Sequence, residues 1–243
     1  MTTTRSSAPP TQPPPQKVPP LENGDHLTRD EFERRYEATP GLKKAELIEG
    51  VVYMPPPVRA DSHSTPHAAV MTWLGTYWIA TAGTRLCDGG TLRLDLDNVP
   101  QPDAALMIEP THGGHARLSP DDYVEGAPEL VAEISASTAS IDLNTKLRVY
   151  RRNKVHEYLV WRTTDQEFDW FVLRGSNYEG MALPPDGICR SEKFPGLWLD
   201  VPALLRRDFV SVMRLLQRGL AAPEHAEFVS GLQRASNSPP ERK

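Results

Sequence analysis

The sequence predicts a mixed α/β domain, a β-sheet flanked by helices. Short apolar runs of strand length, such as Ala104–Ile108, Glu129–Ile134 and His156–Trp161, are separated by stretches with helical periodicity. Two further runs flank the dipeptide Glu49-Gly50, so a hairpin accompanies the alternating units. The chain has 243 residues, 39% of them apolar, which is enough for one domain with its own core.

Seven of the 24 prolines fall within residues 1–20, among Thr, Ser and Gln, so residues 1–24 read as a disordered arm. Thr28 and Glu31 have capping-box spacing, with Phe32 and Tyr36 at i, i+4, and start a helix. Ala45–Ile48 and Val51–Met54 form the hairpin, which Pro55–Pro57 ends. A second helix runs from His67 to about Thr81, with Val70, Met71, Leu74, Tyr77 and Trp78 at helical spacing and Gly83 as its stop.

Thr91–Leu96 alternates as a half-buried strand does. The runs Ala104–Ile108 and Glu129–Ile134 follow Pro102-Asp103 and Pro128. Ser140–Arg152 reads as a helix whose inward face carries Leu143, Leu147 and Tyr150. His156–Trp161 and Phe168–Leu173 are strands, and Leu197–Leu205 closes the main domain, 25–205, after Phe194-Pro195-Gly196. Helices at Phe209–Leu220 and Pro223–Arg234 form a C-terminal extension, 206–234, followed by a polar tail, 235–243.

Composition excludes several function classes. Two distant cysteines, Cys87 and Cys189, give neither a disulfide scaffold nor a cysteine-rich zinc site, and point to a reducing cytoplasm. Met1–Pro20 lacks the apolar segment of a signal peptide, and no apolar run is long enough to span a membrane. A net charge of −5 argues against coating nucleic acid by charge alone. There is no GxxxxGK[ST], GxGxxG or GxSxG pattern, so nucleotide and serine hydrolases have no support.

What remains is a set of residues suited to phosphodiester chemistry. Such hydrolysis needs a hard cation held by oxygen ligands, a positioned water, and positive charge near phosphorus. Asp103 lies at a strand start, where it is equally ordinary turn chemistry. Glu133 interrupts an apolar strand; alternation puts Leu130, Ala132 and Ile134 on one face and Val131, Glu133 and Ser135 on the other. A buried carboxylate there calls for a cation; the competing reading is an ion-paired strand residue.

Lys146 falls at the margin of its helix's inward face, within reach of Glu133, or else covers apolar surface with its stem. Lys146, Arg148, Arg151, Arg152 and Lys154 make an acid-free basic strip, suited to phosphates or to a solvated helix end. His63 and His67 are four apart, but Pro66 between them argues against a preformed ligand pair. His112 and His115 read as surface loop.

The order of motifs resembles the Uma-type restriction endonuclease family of the PD-(D/E)XK nuclease superfamily. The resemblance covers about residues 25–205. It is carried by Ala45–Gly50 (AELIEG), Pro102-Asp103, Ala127–Ser135 (APELVAEIS), Asp142 with Lys146 and Tyr150, Glu157–Val160 (EYLV) and Phe194–Leu197 (FPGL). It implies a restriction-endonuclease-like fold and a Mg²⁺- or Mn²⁺-dependent site acting on DNA.

Asp103 and Glu133 match the family's two acids and Glu46 its early acidic residue. The Ile134 carbonyl is implied as a further metal ligand. The superfamily lysine usually stands two residues after the second acid, where this chain has Ser135, so the resemblance transfers its role to Lys146. His63 or His67, with Arg148, Arg151 and Arg152, would face nucleic acid. The expected function is a metal-dependent DNA endonuclease, for which a homodimer is compatible with cutting a duplex; the alternative is an inactive nucleic-acid-binding or assembly module that keeps the fold.

Overall fold

The structure, a computed structural model, describes residues 17–237. Regular structure begins with α1 (Arg29–Glu37), the strands β1 (Glu46–Ile48) and β2 (Val51–Tyr53), a π-helical turn at Ala60–Ser64, α2 (Thr65–Ala80) and β3 (Thr84–Asp88). The middle supplies β4 (Leu92–Arg93), β5 (Ala104–Ile108), β6 (Arg117–Leu118), β7 (Val124–Glu125), β8 (Leu130–Ser135), a second π-helical turn at Ile141–Lys146 and α3 (Leu147–Arg152). Next come β9 (Glu157–Arg162), β10 (Glu167–Arg174), β11 (Asn177–Gly180), β12 (Ile188–Arg190) and β13 (Trp198–Asp200). Helices α4 (Val201–Leu205), α5 (Phe209–Leu220) and α6 (Pro223–Asn237) close the chain.

The central sheet has the strand order β11-β10-β9-β8-β5-β3. The β8–β9 pair is parallel, as its helical crossover requires, and the other pairs are antiparallel. All six residues of β8 are buried. Leu130, Ala132 and Ile134 pack with Val70, Trp73, Leu74 and Tyr77 of α2, while Val131 packs with Tyr150 of α3 and Tyr158. The alternation expected from sequence is therefore present, and Glu133 faces the α3 side.

The hairpin turn has positive φ at both Glu49 (53°) and Gly50 (73°), the backbone of a two-residue turn between twisted strands. Thr28 caps α1 by accepting the Glu31 N–H at 3.4 Å. The Glu31 carboxylate does not return the cap but bonds Arg34 and Arg35, so half of the expected box forms.

Four expectations are revised. The Thr91–Leu96 strand is cut to Leu92–Arg93, because Asp95 accepts hydrogen bonds from the Asp97 N–H and Asn98 Nδ2 and turns the chain. The Ser140–Arg152 helix is π-helical over Ile141–Lys146. Leu21, expected in the arm, is buried with Phe32, Leu47 and Val52, and α6 continues past Arg234 to Asn237. Residues 1–16 of the arm and 238–243 of the tail lie outside the described residues.

The C-terminal helices belong to the core: Val212 and Leu216 of α5 join the α2-side cluster. A Cβ on Gly219 would stand 2.1 Å from the Gly196 carbonyl oxygen, so this approach needs glycine. Among the described residues no helix is long and apolar enough to cross a membrane.

Glu157 fastens β9 to the following layer. Fully buried, it accepts hydrogen bonds from Ser191 Oγ (2.8 Å), the N–H groups of Glu192 (2.7 Å) and Lys193 (2.8 Å), and Trp170 Nε1 (3.2 Å). Glu157→Ala orphans these donors and is expected to lower unfolding free energy by about 3 kcal/mol, read by urea titration; a loss within error would show that water replaces the carboxylate.

Candidate active site

Four elements meet at the end of β8. Glu46 comes from β1, Glu133 from β8, Asp142 and Lys146 from the second π-turn and Tyr150 from α3. Lys146 Nζ lies 2.9 Å from Glu46 Oε1, 2.9 Å from Glu133 Oε1 and 3.8 Å from Asp142 Oδ1. Tyr150 donates its hydroxyl to Glu133 Oε1 at 3.0 Å, and Glu46 Oε1 accepts the Gln101 N–H at 2.7 Å. Asp142 Oδ2 accepts from Thr138 Oγ1 at 2.5 Å.

An α-helix would have left Lys146 at the margin of its face. The wider π-turn swings it inward, and only 5% of its side chain is exposed.

Asp103 belongs to the same place. Ala104 pairs with Ala132, so Asp103 stands across from Glu133 where that pairing ends. Its Oδ2 accepts the Ile134 N–H at 2.7 Å and lies 3.4 Å from His63 Nε2; its Oδ1 is 3.6 Å from Lys44 Nζ. His67 Nε2 lies 3.2 Å from the Asp103 carbonyl oxygen and 3.1 Å from Asp88 Oδ1.

The two imidazoles stack with centroids 5.9 Å apart. Pro66 does not separate them, because the first π-turn runs directly into α2. The β9–β10 turn holds both walls: Thr163 Oγ1 donates to the Ser62 carbonyl (2.6 Å) and Thr164 Oγ1 to the Ala136 carbonyl (2.9 Å).

Electrostatics distinguish the carboxyls. Burial pushes the Glu133 pKa up and Lys146 pulls it back, while Asp142, Asp103 and Glu46 add to the rise. Burial also raises Asp142. Burial opposes the Lys146 ammonium, but Glu133, Glu46 and Asp142 outweigh it and hold its pKa well above the usual value. For Asp103 burial acts upward, yet His63, Lys44 and the Ile134 N–H prevail and hold it at about 2, against an ordinary 3.8.

A depressed carboxyl contributes stability above its unfolded pKa and loses it as pH falls through the folded one. In EDTA, the stability advantage of wild type over Asp103→Asn is expected to be constant above about pH 5 and to shrink by about 2 kcal/mol down to pH 2. Urea titrations across that range check it; a gap independent of pH would contradict it.

The basic strip lies nearby. Arg148, Arg151 and Arg152 line an open groove of 620 Å³ with Glu49 and Ser176. Arg152 is ion-paired to Glu49 (2.9 Å) and Asp95 (3.3 Å); among the described residues Arg148 and Arg151 make long contacts, 3.4 Å to Thr145 and 3.5 Å to Asn177.

The family model named Uma2, described as "Putative restriction endonuclease", matches residues 29–202. The chain belongs to the Uma2 family. No curated protein matches it. Among solved structures it is similar to one described as a "putative nuclease belonging to DUF820" from Anabaena variabilis, with a TM-score of 0.56 and 16% identity over 74% of this chain and 98% of that one. At that identity the likeness shows the fold alone.

In this Uma2-family site the structure brings Glu46, Glu133 and Lys146 into contact and puts Asp103, His63 and His67 together beside them. Ile134 is seen to contribute its N–H, given to Asp103. Three neighbours were not assigned to the site from sequence. Asp142 and Tyr150 lie four residues either side of Lys146, the spacing that puts side chains on one helix face. Lys44 lies two before Glu46, the spacing that puts strand side chains on one face.

Among the described residues no three His, Cys, Asp or Glu side chains are grouped as a ready metal site. The donor chemistry nevertheless fits a hard cation. One ammonium cannot neutralise three buried carboxylates. Among the described residues no hydrogen bond reaches Glu46 Oε2 or Glu133 Oε2, so both remain available as hard ligands.

Proposed function

We propose that this chain is a metal-dependent endonuclease that hydrolyses DNA phosphodiester bonds. One observation carries the reading: buried carboxylates from separate elements, Glu46, Glu133 and Asp142, surround a single ammonium, with Asp103 facing them across the β5–β8 pair. Asp103, Glu133 and Glu46, with the Ile134 carbonyl, would hold Mg²⁺ or Mn²⁺. When bound, the cation supplies Lewis acidity toward a phosphate oxygen.

Lys146 holds Glu133 and Glu46 in place, each 2.9 Å from its ammonium, and its positive charge offsets the anion developing at phosphorus. Tyr150, held protonated by burial and by the Glu133 charge, donates to Glu133 and fixes its orientation. His63 and His67 line the approach to Asp103. Arg148 and Arg151, and Arg152 once released from Glu49, would contact flanking phosphates. Two copies related by a dyad would present one such site to each strand of a duplex.

The test is cleavage of duplex, single-stranded and branched DNA with Mg²⁺, Mn²⁺ or EDTA. Strand scission in either cation and none in EDTA is the expected result. No scission of any substrate in either cation would overturn the reading.

A second reading, a binding or assembly module without catalysis, is favoured by one observation: Lys146 already satisfies Glu46 Oε1 and Glu133 Oε1, and among the described residues no three-ligand group is assembled. Titration calorimetry with Mn²⁺ separates the two. An endonuclease binds the ion and loses binding in Glu133→Gln; a module shows no difference between the proteins.

A further inference from the structure

The site contains two lysines, and they are placed differently. Lys146 has 5% of its side chain exposed and is surrounded by carboxylates of Glu46, Glu133 and Asp142. Its ammonium donates to Glu133 Oε1 at 2.9 Å, lies 2.9 Å from Glu46 Oε1, and is closed in by Asp142 at 3.8 Å. Buried among them, Lys146 reaches a substrate outside the cluster only by leaving these carboxylates.

Lys44 has 29% of its side chain exposed and lies 3.6 Å from Asp103 Oδ1, beyond hydrogen-bond distance. Among the described residues it makes no hydrogen bond, so its three donors are free. Its direction is fixed by the chain around it. Ala45 and Leu47 pack into the N-terminal cluster with Phe32 and Val52, which turns the alternate positions, Lys44 and Glu46, toward the carboxylates.

We infer that Lys44 is the residue that binds the scissile phosphodiester, and that Lys146 is a positioning residue for the carboxylates. The inference rests on the endonuclease reading and assigns the phosphate contact within that site. A phosphodiester approaching Asp103, Glu46, Glu133 and Asp142 meets like charge. Lys44 is the half-exposed ammonium that lies against Asp103 and is free to donate. His63, 3.4 Å from Oδ2, flanks the same carboxylate on its other oxygen.

Two measurements test this. The first is binding of a short fluorescent DNA duplex to the full chain in EDTA, by anisotropy across a salt series, for wild type, Lys44→Met and Lys44→Arg. Lys44→Met is expected to weaken binding roughly tenfold and to reduce the salt slope by about one, with Lys44→Arg close to wild type. The second is single-turnover cleavage in Mg²⁺. There Lys44→Met is expected to be slower by about 10²-fold, with Lys44→Arg close to wild type.

Equal affinity and salt slope in wild type and Lys44→Met would overturn the assignment, as would no DNA binding by either. If wild type binds in a Lys44-dependent way but cuts nothing, the endonuclease reading falls and Lys44 stands as a phosphodiester contact.

Discussion

Replacing Lys146 with methionine is expected to destabilise the folded chain by about 3–5 kcal/mol, because it leaves buried carboxylates without their counter-charge. Glu46, Glu133 and Asp142 are all nearly inaccessible to water, and the Lys146 ammonium touches each of them. Methionine has a similar length and no charge, so the loss is electrostatic rather than steric. A divalent cation should substitute for the missing ammonium: the Lys146→Met chain is expected to melt higher with millimolar Mg²⁺ than in EDTA, by a larger margin than wild type. A wild-type melting temperature in Lys146→Met, in EDTA, would show that the cluster does not depend on this charge.

Glu133→Gln is expected to act in the opposite sense on stability and to abolish activity. Burial already favours the neutral form of Glu133, and a glutamine carbonyl still accepts from Lys146 and Tyr150. The melting temperature should therefore hold or rise. The amide cannot serve as an anionic ligand, so cleavage in Mg²⁺ is expected to fall by about 10³-fold or more. A residue that costs stability and supports activity is the signature of a functional site. Retained cleavage with a lowered melting temperature would make Glu133 a structural ion-pair partner.

The parts of the fold that sequence alone predicts are those where one local rule governs. Leu130, Ala132 and Ile134 alternate with Val131 because β8 is buried on both faces and side chains on a strand must alternate. Glu49-Gly50 turns because two adjacent positive φ angles suit that pair. The helix Phe209–Leu220 has the bounds its periodicity predicts.

Expectation and structure part where longer-range contacts decide. The second π-turn, which brings Lys146 inside, sits where Lys146 meets Glu133 and Glu46 from other elements; helical periodicity carries no sign of it. Asp95 ends the strand after Arg93 by accepting from Asn98 and from Asn153, which lies far along the chain. The pairing of His63 with Asp103 depends on Thr163 holding the Ser62 carbonyl, a contact across 101 residues. Lys44 had a local signal, its spacing from Glu46, but that spacing acquires meaning only once Ala45 and Leu47 are known to face the other way.

The central claim is that separate carboxylates jointly hold a divalent ion beside Lys146. Anomalous diffraction from a crystal soaked in Mn²⁺ tests it most directly. A manganese peak bonded to oxygens of both Asp103 and Glu133, with the Lys146 ammonium alongside, is the result this account predicts. A saturating soak that leaves no peak at those carboxylates, or puts manganese only elsewhere, would contradict it.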